Sequence, residues 1–206
     1  MRRSLLTFFF LLCCFSALAG EKGERRALRW GADWGYGLDI YHYWNINYLD
    51  TQVGYRVWDQ DYEWQARPNA YACLKLGYEV LPWMEVSVFS GIMGISEGRK
   101  IIPAGLQIGI APGGNANAGP VFNISGGAGF KSGGYSPVPA AFAMMGGGWR
   151  FRINSVWDMD LLLRTRLCKD SPPVWDKDDG IYITEENVRR NVALTASLEF
   201  GIALSF

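Results

Sequence analysis

Very little of the usual catalytic and metal-binding chemistry is present. The 206 residues include a single histidine, His42, which excludes a multi-histidine metal site. Of four cysteines, Cys13 and Cys14 lie in the first twenty residues, leaving Cys73 and Cys168. Two cysteines can form one disulfide in an oxidising compartment but are not a framework, and there is no C-x-x-C spacing. Neither sign of charge dominates: 20 basic residues meet 20 acidic ones, so no basic surface recruits nucleic acid. After the N-terminal segment, no run approaches the ~20 consecutive apolar residues of a membrane helix.

The strongest positive feature is alternation at the C-terminus. From Asn191 to Phe206 every even position is apolar: Val192, Leu194, Ala196, Leu198, Phe200, Ile202, Leu204 and Phe206. Asn191, Thr195, Ser197, Glu199, Gly201 and Ser205 fill positions between. In a strand, a period of two places one face in an apolar medium and the other among polar groups. The segment exceeds the five or six residues typical of strands in soluble proteins, and suits a tilted strand crossing a bilayer, which needs roughly 9 to 11. Membrane-spanning β-structure must close, because an open edge leaves backbone groups unpaired in hydrocarbon.

The N-terminus fits that destination. Arg2 and Arg3 precede an apolar run from Leu5 to Phe15 and then Ala17-Leu18-Ala19, the pattern of a secretory signal peptide. A signal over residues 1–19 and one domain over 20–206 are expected. A lipoprotein signal fits less well, since Leu12 and Cys13 precede the two cysteines where Gly or Ala is usual. Without Arg2 and Arg3, 18 basic residues face 20 acidic ones, a net of −2.

The first mature segment repeats the alternation. Leu28, Trp30, Ala32, Trp34, Tyr36, Leu38 and Ile40 share one face; Arg29, Gly31, Asp33, Gly35, Gly37 and Asp39 share the other. Charges separated by glycines suit a narrow lumen. Six further strands are read over 69–80, 84–88, 101–111, 118–130, 138–153 and 156–168, giving eight with the first and last. The predicted fold is an all-β, closed, eight-stranded antiparallel up-and-down transmembrane barrel. Connections near Leu81, Pro112 and Asn154 are short, whereas 43–68 and 169–190 are long and polar, which assigns them to the periplasmic and extracellular ends respectively. Trp30, Tyr78, Trp83, Trp157 and Phe206 then gather at the periplasmic rim, where an aromatic girdle belongs.

These features, above all the alternating last strand ending in Phe206, resemble the small eight-stranded outer-membrane proteins of the OmpA/OmpX type and the outer-membrane-protein β-barrel domain family. The resemblance implies a bacterial outer-membrane location, contact with outer-membrane lipid, and a terminal aromatic read by the barrel assembly machinery. It carries over no catalytic residue and no cofactor.

The expected interior is a plug of ion pairs. Across the turn at Asn154 to Val156, preserved parity sets Arg150 opposite Asp160 and Arg152 opposite Asp158. The same reasoning sets Glu79 opposite Glu85, a like-charge pair needing a cation, for which Arg150 and Arg152 are candidates. Arg164, Arg166, Asp33, Asp39, Lys75 and Glu199 extend the charged set. A catalytic carboxylate pair is the competing reading of Glu79 and Glu85, disfavoured because arginines stabilise the ionised forms.

Three functional readings follow. The leading one is a non-enzymatic structural or surface-binding barrel contacting an extracellular ligand or surface. Its loop 43–68 offers Tyr43, Trp44, Tyr55, Trp58, Tyr62 and Trp64 among charges, a composition binding surfaces favour. A hairpin that simply extends the strands accounts for the same residues. The second reading is a lipid A-modifying hydrolase or acyltransferase using His42, whose parity points toward lipid; the local run His42-Tyr43-Trp44-Asn45 lacks a nearby Ser. The third is a secreted lipocalin-like carrier, which needs an apolar interior. Loop 169–190, with Asp176 to Gly180, has its glycine one position early for a calcium loop. The runs Gly126 to Gly129 and Gly146 to Gly148 precede no helix and cradle no phosphate.

Overall fold

The computed structural model describes residues 28–50, 52, 54–131, 138–176 and 180–206. The expected signal over 1–19 lies outside them, as do residues 177–179 of the acidic loop. Eight long strands are found: β1 (Leu28–Leu49), β2 (Arg56–Leu81), β3 (Met84–Gly94), β4 (Lys100–Ile110), β5 (Gly119–Lys131), β6 (Ala140–Arg152), β7 (Asp158–Asp170) and, after the two-residue strands β8 (Trp175–Asp176) and β9 (Ile181–Tyr182), β10 (Val188–Ser205). They close in the order β1-β10-β7-β6-β5-β4-β3-β2, all neighbours antiparallel. The eight-stranded up-and-down ring expected from the sequence is the architecture observed.

Alternation sets the two faces. Along β7 the even residues from Asp158 to Asp170 are buried while Leu163, Thr165 and Leu167 are exposed. Along β10 the odd residues from Ala193 to Ser205 are buried, with Leu198 and Phe200 outside. Closure is sealed at the seam, where Trp30 and Phe206 exchange two backbone hydrogen bonds of 2.9 Å each. Phe206 continues the ladder opposite the outward Trp30, as its parity expects, and is buried because its ring packs on Trp157 with centroids 4.7 Å apart.

Two expectations about length need correction. The region 43–68 is no loop: β1 continues to Leu49 and pairs with β2 from Leu49↔Arg56 downwards, so only residues 50–55 connect them. β1 also stays paired with β10 up to Tyr48↔Val188. These three strands rise beyond the rest of the barrel as a blade. The connection 169–190 shrinks to 171–187 and contains the β8–β9 hairpin.

Candidate functional site

The lumen is filled by side chains from every quarter of the ring. At the short-turn end, Arg29 is the organising cation: its Nη2 lies 2.5 Å from Asp158, its Nη1 3.7 Å from Glu79 and its Nε 3.7 Å from Glu85. Beside it, Arg150 donates Nε to Asp160 Oδ1 at 2.7 Å and Nη2 to Oδ2 at 2.8 Å, a bidentate cross-strand pair. The β4–β5 connection folds in beneath them. The carbonyl of Asn115 accepts from Arg29 and Arg150 at 3.4 and 3.1 Å, and its backbone N–H donates to Pro82 at 2.7 Å.

Farther along the axis, Arg164 clamps Asp33 through Nη1 and Nη2 at 2.6 and 3.2 Å. It also donates to the Tyr71 hydroxyl, and its guanidinium lies 4.7 Å from the centre of that ring. Arg166 stands 2.9 Å from Glu199 and 3.8 Å from Asp39, whose carboxylate accepts from Ser197 at 2.6 Å and from Asn69. Glycines make room for these groups. A β-carbon on Gly201 would sit 1.9 Å from the Tyr71 hydroxyl, so only the bare backbone of β10 lets Tyr71 reach Arg164.

The sequence-predicted charged residues therefore do not all meet as expected. Glu79 and Glu85 stand opposite each other in register, but the cation between them is Arg29, from β1, and not Arg150 or Arg152. Arg152 occupies the position opposite Asp158 yet does not pair with it. It is exposed and donates to the carbonyls of Asn154, Ala116 and Ser155, because Asp158 is already held by Arg29. Arg152 therefore ties two turns together and contributes little to the lumen.

Above the charged layers the interior becomes apolar, with Phe89, Met93, Ile95, Ile101, Phe142 and Met144 in one buried cluster. Cys73 and Cys168 belong to it as free thiols. Residues at the start of the following connection are buried or tied to the barrel at this end. Val174 and Asp176 are buried, Asp170 pairs with Arg99, and Lys131 donates to the Ser171 carbonyl at 2.5 Å. Two small internal cavities, about 10 and 20 Å³, meet at Lys75. Each has room for a water molecule and no more.

His42 does not point toward lipid. Ile40 is an extra residue on β1, since Asp39 pairs with Ser197 and Tyr41 with Ala196, and this bulge reverses the parity beyond it. His42 is consequently buried, with Nδ1 3.0 Å from the Thr195 hydroxyl and its ring stacked on Trp44 at 5.6 Å.

The aromatic residues of the blade divide by face. Tyr43, Tyr62, Trp64 and Trp58 share the outer face, where Tyr41 stacks on Tyr62 at 6.1 Å and meets Trp64 edge-on at 5.3 Å. Trp44 lies on the opposite face with His42, and Tyr55 stands at the tip, exposed. The six therefore do not form one surface.

No family model matches the sequence, and no curated protein matches it. Among solved structures the chain is similar to Neisserial surface protein A, at 12% identity over 87% of this chain and 97% of that one, with a TM-score of 0.44. It is similar to the outer membrane protein OprG from Pseudomonas aeruginosa at 11% identity, over 87% and 96%, with a TM-score of 0.46. A third similarity is to the outer membrane protease OmpT from Escherichia coli, at 9% identity over 90% and 99%, with a TM-score of 0.41. The fold assignment rests on the closed eight-stranded ring of this chain itself.

Proposed function

We propose that this chain is an integral bacterial outer-membrane protein, exported by its N-terminal segment, whose sealed barrel is an anchor for a surface-binding blade. One observation carries the reading: the side-chain distribution is inverted relative to a soluble protein. Arg164 and Arg166 are each 1% exposed and Glu199 is fully buried, while Leu106, Leu163 and Phe200 are 60%, 56% and 56% exposed. Similar outward residues recur on every long strand, from Leu38 and Leu74 to Phe122 and Phe130. Soluble monomers rarely expose contiguous apolar patches beyond a few hundred Å², whereas a lipid-facing belt is apolar all round.

The lumen supports an anchor and not a conduit. Interlocked ion pairs fill the short-turn end, and the apolar cluster of Phe89, Met93, Ile101, Phe142 and Met144 fills the interior beyond them. The charged filling among the described residues disfavours a lipocalin-like carrier, which needs an apolar interior. A lipid-modifying activity centred on His42 is disfavoured by its burial behind the bulge. Outer-membrane lipid around the belt and the assembly machinery at Phe206 are the partners this reading names. Reconstituted into a planar bilayer, the protein should show no stepwise conductance; discrete, reproducible openings would contradict the sealed lumen.

A further inference from the structure

The blade leaves one strand edge open. β2 has β1 on one side from Arg56 to Tyr78, but β3 joins it only from Tyr71↔Met93 onward. Among the described residues, no strand covers the other edge of β2 from Arg56 to Pro68. Natural edges are blunted by charged side chains, proline or a bulge. Here the membrane-proximal end has two of these devices, Pro68 and the irregularity around Gln65 and Ala66, where Asp39↔Arg67 gives way to Tyr41↔Trp64. The stretch from Arg56 to Trp64 has no proline and no bulge; beyond Arg56 its charges are the one-sided acidic row Asp59, Asp61 and Glu63, which repels an acidic strand and not a basic one. At about 3.3 Å per residue it offers some 26 Å of unpaired backbone.

Its two faces differ in chemistry. Trp58, Tyr62 and Trp64 line one, with Trp58 68% and Trp64 74% exposed. Asp59, Asp61 and Glu63 alternate on the other. Their internal partners are weak: Glu63 meets the exposed Arg67 at 3.3 Å, and Asp61 accepts from its neighbour's backbone N–H at 2.8 Å. A strand added to this edge sets its side chains directly opposite these, face by face.

We infer that the free edge of β2, Arg56 to Trp64, captures an extended polypeptide segment in which basic and apolar side chains alternate. The basic ones would stand opposite Asp59, Asp61 and Glu63, and the apolar ones beside Trp58, Tyr62 and Trp64. This is recognition by strand addition, with affinity from the backbone and selectivity from alternate side chains. The inference rests on the reading of the blade as the contact surface. A second copy fits poorly. In the same membrane it is related by rotation about the membrane normal, which turns its aromatic face onto the acidic side. In an opposing membrane it sets carboxylates against carboxylates.

The test uses the full chain refolded in zwitterionic detergent and a synthetic peptide of alternating Lys and Val. The peptide should bind, and binding should weaken about tenfold or more in the double variant Asp59→Lys, Asp61→Lys, which should instead take an alternating Glu and Val peptide. Backbone N-methylation of alternate peptide residues, which removes N–H donors without changing charge, should abolish binding. Absence of binding would overturn the inference, as would equal binding of the N-methylated peptide, which would reveal charge attraction alone. The same sample is run unboiled on a gel. A folded, heat-shifting barrel that ignores the peptide defeats only this inference, whereas a missing heat shift defeats the barrel reading beneath it.

Discussion

Replacing Arg164 with Met is expected to cost the barrel about 3 to 5 kcal/mol, read as a large fall in the urea midpoint of the refolded protein. Arg164 is 1% exposed and is the bidentate partner of Asp33 as well as a donor to Tyr71. Its removal leaves the Asp33 carboxylate buried without a cation, and Glu199 retains only Arg166 on its guanidinium side. An uncompensated buried charge costs more than the pair gains, so the loss reflects the stranded anion. The double variant Arg164→Met, Asp33→Asn should recover part of it. An unchanged midpoint in the single variant would mean that the lumen is wet enough to solvate Asp33, contrary to the water-sized cavity beside it.

The second large effect concerns the outer face. Leu106 lies midway along β4, 60% exposed, with Ala104 and Ile108 outward on either side. Arginine on a lipid-facing strand near the bilayer midplane costs about 2 to 4 kcal/mol. Leu106→Arg should therefore lower the stability of protein refolded in lipid vesicles by that amount, and Trp58→Arg, on the blade above the belt, should not. In a water-soluble barrel an exposed leucine would accept arginine with a change within about 0.5 kcal/mol. Equal stability of Leu106→Arg and the parent chain in vesicles would place that face in water.

Much of this arrangement was legible from parity. Strict alternation in β1 and β10 identified the inward Asp33, Asp39 and Glu199, because a period of two leaves no choice of face once one residue is assigned. Register across short turns followed as well: Arg150 does stand opposite Asp160, and Glu79 opposite Glu85. The limits appear where local counting stops. A bulge at Ile40 adds one residue and inverts everything after it, so His42 changed face without any signal in the surrounding pattern. The polar composition of 43–68 suggested a loop, yet Tyr, Trp and Val at alternate positions are compatible with strand. A polar composition does not end a strand, and pairing continues through it to Leu49↔Arg56.

Partners across the ring were beyond sequence reasoning for a different reason. Parity says that Arg29 points inward, but closure and strand tilt bring it to Glu79, Glu85 and Asp158, the last 129 residues away in the chain. Asp158 was thereby taken from Arg152, its register neighbour. The apolar upper interior is a similar case. Phe89 and Met93 fall on the inward parity of β3, and Phe142 and Met144 on that of β6. Their meeting, with the Phe89 and Phe142 rings 5.9 Å apart, depends on closure of the ring, which brings β3 and β6 face to face. The inward turn carrying Asn115 left no sequence signal beyond its glycines.

Whether the apolar outer face meets lipid is tested most directly by membrane fractionation of the host combined with electrophoresis of unboiled and boiled samples. The protein should sediment with the outer membrane and migrate faster unboiled than boiled, as a closed barrel that survives detergent does. Recovery in a soluble fraction with no shift on heating would contradict the account, and the belt from Leu38 to Phe200 would then have to be the interface of a soluble assembly.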